Sequence, residues 1–330
     1  MIWYKQENPD IVISTRVRLA RNLQGIPFPE RLQNKKEIID KIKDAVFSSN
    51  STLASDFNDL DINNLTVPQK QVIVDKHLMS RQMLKTEGDC LVNKDETMSI
   101  MIMEEDHIRE QVILDGFKLE QAYEICNKVD DVLSESLNFA FDEKIGYLTA
   151  CPTNTGTGLR VSVMLHLPGL SITGKMNRIV NSAANIGIAV RGYYGEGSQA
   201  EGYFYQISNQ ITMGIDEMEI LERVKNVTNQ IIAFEKESRE ELKKNNGNKL
   251  EDKLWRSYGT LKYARSLSSK EGISLLSDVL MGQNMEIITD KAKISPLELI
   301  VNMQPSIIGE SVLTPEERDK KRAEYIRNNI

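Results

Sequence analysis

The sequence predicts an α+β protein, with strands and helices mixed in its first part and helices alone in its last. Three observations carry this. Residues 97–103 alternate, placing Met98, Ile100 and Ile102 on one face, and residues 202–213 alternate again with Tyr203, Tyr205 and Ile207. Beyond residue 254 only helical spacing is found.

The elements follow in order. Ser14-Thr15-Arg16-Val17-Arg18 reads as a strand with both arginines on one face, because side chains alternate with period two. Residues 119–139 read as a helix. Residues 169–176 nearly spell a phosphate loop, but Met176 stands where a hydroxyl must meet Mg²⁺. They follow an apolar, helix-like run and read as a turn between helices. Gly195 to Ala200 gives only a loose dinucleotide pattern, without the strand–turn–helix and acidic residue that it needs. Leu221, Val224, Val227, Ile231 and Phe234 form a stripe at spacings of three and four, the mark of a packed helix. A charged run over 235–253 contains the best candidate break, Asn245-Asn246-Gly247-Asn248. Residues 254–267, 269–280 and 296–303 read as further helices. The predicted division is a catalytic region over 1–240 and a helical region over 241–330.

Composition narrows the class. A chain of 330 residues buries a large core and is long enough for two domains. A formal net charge of −7 argues against nucleic-acid binding. Cys90, Cys126 and Cys151 are odd in number and far apart, which opposes a disulfide framework and a thiolate zinc site. No signal pattern and no apolar run near ~18–20 residues appears, so a cytoplasmic protein without membrane spans is expected. Thirteen methionines read as core filler.

Four segments carry the chemistry. Cys151-Pro152-Thr153-Asn154-Thr155-Gly156-Thr157-Gly158-Leu159-Arg160 sets one thiol at the mouth of a Gly- and Thr-rich loop and ends on an arginine. Such a loop can bring backbone N–H groups close to a phosphate. The run from Met103 to Arg109 packs Glu104, Glu105, Asp106, His107 and an arginine together. Arg191-Gly192-Tyr193-Tyr194-Gly195-Glu196-Gly197 follows an apolar stretch and sets a carboxylate among glycines. Ser14 to Arg18 is the fourth. Each has a bland reading as a turn or a solvated face, but those readings do not predict all four in one chain.

Together these segments resemble the phosphagen (guanidino) kinases, and their wording is most similar to the bacterial protein arginine kinases. Gly146-Tyr147-Leu148-Thr149, residues 164–168 and residues 205–210 strengthen the resemblance between the motifs. One departure is visible: the family usually has Asn before Glu104, and Met103 stands here. The resemblance implies an antiparallel sheet flanked by helices. It implies an ATP site on Ser14, Thr15, Arg16, Val17 and Arg18, on Arg160, Val161, Ser162, Val163 and Met164, and on Arg191, Gly192, Tyr193, Tyr194, Gly195 and Glu196. Arg16, Arg18, Arg109, Arg160 and Arg191 would hold the phosphates, and His77 would lie beside the adenine. Glu105 and Glu196 would grip the acceptor guanidinium, and Cys151 would sit beside its reactive nitrogen.

These roles fit the chemistry. Phosphoryl transfer needs mainly positioning and charge stabilisation, which converging arginines supply. A guanidinium is always charged and its nitrogens are poor nucleophiles, so paired carboxylates must orient it and one must take a proton. The base is expected to be Glu196, with Cys151 tuning the site rather than forming a covalent intermediate. Cys151→Ala should then retain turnover that Glu196→Ala loses. Mg²⁺ is expected on phosphate oxygens and water, without a dedicated protein cluster.

The acceptor follows from two further features. The small-guanidine kinases carry a helical domain before their Ser-x-Arg-x-Arg segment, which here begins at Ser14, so an open site suited to protein-bound arginine is expected. Arg318-Asp319-Lys320-Lys321-Arg322-Ala323 matches the segment with which the protein arginine kinases bind phosphoarginine at a second, allosteric site. Two arginines four apart share a helix face and can clamp one phosphate. The resemblance also implies a homodimer, protein substrates including a stress-gene repressor, a zinc-containing activator protein and a Clp-type unfoldase downstream. Kinases for free arginine or another small guanidine, and a catalytically silent regulator, are the alternatives.

Overall fold

Among the described residues, eight strands form one fully antiparallel sheet. The structure is a computed structural model that describes residues 2–7, 9–49, 51–192, 201–290, 292–309 and 313–330. In chain order the strands are β1 (Val12–Arg21), β2 (Phe57–Asp59), β3 (Asp89–Asn93), β4 (Met98–Ile102) and β5 (Ile108–Asp115). A small separate hairpin follows, β6 (Phe141–Asp142) with β7 (Gly146–Tyr147), and then β8 (Leu159–His166), β9 (Ile188–Gly192) and β10 (Phe204–Asn209). Their spatial order is β2-β3-β4-β5-β1-β8-β10-β9, so β1 lies near the centre.

The helices are α1 (Lys36–Phe47), α2 (Leu53–Asp56), α3 (Val67–Asp75), α4 (Leu119–Ser134), α5 (Pro168–Ile172), α6 (Met176–Ala184), α7 (Glu217–Tyr263), α8 (Ser269–Asn284), α9 (Pro296–Asn302), α10 (Pro305–Ile308) and α11 (Pro315–Asn329). One face of the sheet carries Met98, Ile100, Ile102, Val112, Val17, Leu19, Val161, Val163 and Ile207, all buried. They pack against apolar residues of α1, α4, α6 and the first half of α7 in the main core. The alternation of 97–103 therefore points the expected residues inward.

A second core joins Trp3, Tyr4, Ile13, Met164 and Phe204 to α8, α9, α11 and the second half of α7, seating the C-terminal helices against the sheet. Asp216, Ser268, Ser295 and Thr314 each accept the N–H of the third residue onward, fixing the starts of α7, α8, α9 and α11.

Several boundaries differ from expectation. Helix α4 stops at Ser134, because beyond it the chain turns to pair with the end of β1: Gln24 N donates to Asn138 O at 2.9 Å. Strand β10 begins only at Phe204, after a turn with positive φ at Gly202 and Tyr203. The candidate break at 245–248 does fall on a kink, where non-helical angles at Asn246 separate two helical halves of α7, whereas residue 240 lies within the first half. Leu221, Val224, Val227 and Ile231 are buried, while Phe234 is half exposed. Finally, residues 169–172 lie within α5 and only 173–175 form the turn between α5 and α6, and the element before α5 is the buried strand β8. The phosphate-loop reading fails on other grounds: Gly169 N and Leu170 N both donate to the Glu235 carboxylate at 2.9 Å, where a phosphate would have to sit.

Candidate active site

The sheet register assembles the arginines. Arg16 and Arg18 share the face of β1 opposite the main core, by the two-residue period. Arg18 lies directly across from Arg160 on β8, Ala20 across from Arg109 on β5, and Gln206 across from Arg191 on β9. Residues from distant segments thus meet on one surface. A cavity of about 510 Å³ is lined by Arg18, Arg109, Arg160, Arg191, Glu105 and Cys151 among others. An adjoining pocket of about 170 Å³ contains Arg16, His77, Met164 and Gln206. All five sequence-predicted arginines therefore border two neighbouring hollows on the same face. Tyr193, Tyr194, Gly195 and Glu196, and with them the expected second carboxylate, lie outside the described residues.

Charge at this site is unbalanced. Burial pushes Arg16 down to about 10, with Arg160 and then Arg109 adding repulsion. Arg18 is held well below its ordinary value by burial first, then by Arg16, Arg109 and Arg160. Arg16 Nε and Arg18 Nε are buried without a hydrogen-bond partner. Facing like charges on neighbouring strands oppose folding, and unsatisfied buried donors add to that cost. A polyphosphate answers both, so the residues present fit a nucleotide. Arg109 is anchored differently: Nη1 pairs with buried Glu104 and Nη2 donates to Glu105 at 3.0 Å. Among the described residues no group of three or more His, Cys, Asp or Glu is arranged to hold a metal ion.

The Cys151 loop is built for shape rather than for phosphate. The N–H groups of Asn154, Thr155, Gly156, Thr157 and Gly158 all donate to backbone carbonyls. The expected cradle of loop N–H groups is therefore absent at these positions, and side chains of Cys151, Thr153 and Asn154 face the cavity instead. Gly156 and Gly158 have positive φ, and a Cβ on either would collide with Thr212 O or with Ala20 O and Arg21. The loop is pinned from outside as well. Asp106 accepts from Ala150 N and Asn22 Nδ2, both at 2.7 Å, and Thr149 Oγ1 donates to Cys151 O at 2.7 Å. Cys151 Sγ lies 3.0 Å from Thr153 Oγ1.

Met103 adopts φ +59 and is fully buried. That left-handed conformation suits Asn and strains Met. The departure at this position therefore bears on the backbone more than on a lost amide.

His77 also has positive φ, just beyond α3, and its ring stacks at 4.9 Å on Trp3, whose Nε1 donates to Lys76 O. Burial, then Arg16 and Arg81, lowers its pKa to about 3. A neutral flat ring results, suited to face a base.

The C-terminal motif departs from expectation. Arg322 is buried: Nε donates to Met303 O at 3.0 Å and Nη1 to Leu267 O at 2.7 Å, and Nη1 also pairs with Asp319 at 2.5 Å. It does not join Arg318 as an open clamp, because the side chain turns inward to tie α11 to the preceding helices. Arg318, Lys320 and Lys321 remain at least partly exposed, and Asp319 is partly covered.

Sequence reasoning missed Glu104 as the partner of Arg109, Asp106 as the loop's anchor, and Gln210 and Gln304 in the walls. The acidic run signalled the first two. Nothing in the sequence signals Gln304, which arrives from a distant helical segment.

A fold of this kind, with clustered arginines beside a carboxylate and a thiol, matches the description "ATP:guanido phosphotransferase, C-terminal catalytic domain" over residues 37–238. The chain belongs to that family. Residues 247–330 match a second description, "Protein-arginine kinase McsB C-terminal domain". Proteins named protein-arginine kinase are similar over nearly the whole length. That of Caldanaerobacter subterraneus is 45% identical, covering 98% of each chain, and that of Clostridium acetobutylicum is 46% identical, covering 97% of this chain and 96% of the relative. Among solved structures, lombricine kinase has a TM-score of 0.61 at 24% identity, over 68% of this chain and 66% of its own, which speaks to the fold alone. A duplicated taurocyamine kinase from Schistosoma mansoni, with bound transition-state-analogue components, has a TM-score of 0.62 at 25% identity. This chain covers 38% of it, and 79% of this chain is matched.

Proposed function

We infer that this chain is a protein arginine kinase, transferring the γ-phosphoryl group of ATP directly to a guanidinium nitrogen of arginine in a protein. The observation that carries the reading is the single cavity holding Arg18, Arg109, Arg160 and Arg191 beside Glu105 and Cys151. The arginines hold the triphosphate and take up charge as the bond to the γ-phosphorus breaks, a role worth ~10³–10⁵ in rate for a single well-placed arginine. Glu105 and Glu196 orient the acceptor, and the attacking nitrogen forms an N–P bond as the bond from phosphorus to the bridging oxygen breaks. ADP leaves, and the proton from nitrogen passes to a carboxylate, assigned to Glu196. Cys151 positions the guanidinium and forms no bond to phosphorus. Mg²⁺ would enter on the nucleotide phosphates and neutralise their charge.

The full-length similarity to proteins named protein-arginine kinase supports protein-bound arginine as acceptor. On this reading residues 1–240 catalyse and residues 241–330 serve dimerisation and phosphoarginine binding. Within Arg318–Ala323, Arg318 would meet the ligand while Arg322 holds the segment in place. The setting is cytoplasmic, with a stress-gene repressor among the substrates, a zinc-containing activator and a Clp-type unfoldase that reads the mark. Among the described residues no helix is long and apolar enough to cross a membrane.

The test is incubation of the full chain with Mg²⁺-ATP and either free arginine or an unfolded protein, followed by assay of acid-labile phosphate on arginine. Label on the protein alone supports the reading. Label on free arginine alone replaces it with a small-guanidine kinase.

A further inference from the structure

The smaller pocket draws one wall from an unexpected place. Arg16, His77, Met164 and Gln206 belong to the sheet region, but Gln304 comes from the turn between α9 and α10 in the C-terminal helical region. Gln304 is 6% exposed, so its amide is no solvated surface group. Its Nε2 donates to Ile300 O at 2.9 Å. Two residues on, Ser306 Oγ donates to Asp75 Oδ2, two residues before His77, which ties the turn to the pocket rim. One residue back, Met303 O accepts from Arg322 Nε at 3.0 Å.

Position along the sheet says what this pocket receives. Arg160 lines the large cavity and Met164 the small one, four residues apart on β8, or roughly 14 Å at about 3.4 Å per strand residue. That is the reach of an extended nucleoside triphosphate. With its phosphates among the arginines, the base falls beside His77 and Gln304.

We propose that Gln304 is a base-contacting specificity residue, by which the C-terminal region selects adenine over guanine; this rests on the nucleotide site assigned above. One amide N–H is given to Ile300 O, which fixes the side chain, and on this proposal its carbonyl oxygen is the atom that meets the base as an acceptor. Adenine offers an exocyclic amine there, a donor. Guanine offers a carbonyl oxygen at the same ring position, and two acceptors would face each other. A polar group built to meet a donor discriminates strongly against a ligand that lacks it.

Equilibrium binding of ADP and GDP to the full chain, without acceptor, tests this. The wild type should prefer ADP. Gln304→Leu should lower the ADP-to-GDP affinity ratio about tenfold, the worth of roughly one buried hydrogen bond. Gln304→Glu also loses the bond to Ile300 O but keeps an acceptor, so it should retain the preference whatever its overall affinity. Melting temperatures come first, with Gln304→Met replacing the leucine variant if that does not fold. A ratio unchanged within twofold in the leucine variant overturns the proposal. Loss of preference in both variants also overturns it, because the role would be structural. A wild type that binds neither nucleotide overturns the nucleotide site itself. A wild type that binds ADP selectively yet labels no arginine sinks the kinase reading while the affinity ratio still decides Gln304.

Discussion

Two regions of this molecule bury arginines in opposite ways. On the open face of the sheet, Arg16 and Arg18 lie side by side with their Nε atoms unsatisfied and their pKa values depressed by burial first and then by neighbouring arginines, Arg160 and Arg109 among them. Where helices meet sheet or helix, Arg21, Arg239 and Arg322 are more deeply buried than Arg16 and Arg18, and protein groups engage the Nε of each. Arg21 forks onto Asp130 at 2.7–3.2 Å, donates to Ala20 O and Thr157 O, and stacks 3.5 Å above Tyr147. Arg239 meets Glu235 at 2.7 Å and Asp10 at 3.1 Å. A buried Nε does not by itself mark a structural arginine. What separates a binding arginine from a structural one is whether the protein itself completes the donors. A buried cation left incomplete is costly, and such a cost persists where a ligand removes it.

The sharpest way to break this comparison is to exchange the effects. Arg18→Ala should lower turnover by ~10³-fold or more, yet leave the melting temperature unchanged or raised, because it relieves repulsion from Arg16, Arg109 and Arg160. Steady-state rates and a thermal melt on the same sample decide it. A drop in both would mean that Arg18 is structural after all.

Arg21→Ala should do the reverse. It strands Asp130 in the interior and frees the carbonyls of Ala20 and Thr157, so unfolding free energy should fall by ~3–5 kcal/mol in denaturant titration. Activity should follow stability, because Thr157 belongs to the loop carrying Cys151. If Arg21→Ala melted like the wild type, completeness of partners would not be the property that matters.

His77 supplies a smaller, pH-dependent effect. Its folded pKa of about 3 lies below its ordinary 6.5. Below pH 6.5 the unfolded chain therefore binds a proton that the folded chain refuses. Stability attributable to the neutral ring is present above pH 6.5 and is lost as pH falls towards 3. Between pH 7 and 5 the loss should be ~1–2 kcal/mol. His77→Gln should flatten that part of the pH–stability curve, and a slope identical to wild type would remove His77 from the account.

Much of this was legible in the sequence. The resemblance to the phosphagen kinases singled out Arg16, Arg18, Arg109, Arg160 and Arg191, and the strand registers bring them to one face. Period-two alternation found β4 because Met98, Ile100 and Ile102 face the main core, while Met101 faces a smaller one on the other side. The same reasoning misjudged the run before residue 169, since β8 is buried over nearly its whole length and gives no alternation to distinguish it from a buried helix. It also overread two motifs whose partners are tertiary. The loop after Cys151 turns its N–H groups inward onto Tyr147, Thr212 and its own carbonyls. Arg322 turns onto Met303 and Leu267, residues 19 and 55 positions away. Helical spacing reports which residues share a face, but not whether that face meets solvent or another helix.

The smallest expected effect completes the comparison. Arg256 pairs with Asp252 at 2.7 Å, the same distance as the buried pair of Arg239 and Glu235, but its side chain is 77% exposed. Water already solvates both charges, and salt screens what attraction remains, so a short distance by itself says little about energy. Arg256→Ala should leave melting temperature and turnover unchanged within error, at both low and high salt. A clear loss at low salt that disappears at high salt would show surface pairing on α7 contributing to stability. The dividing line would then have to be drawn by field strength across the whole helix rather than by burial and completeness of partners.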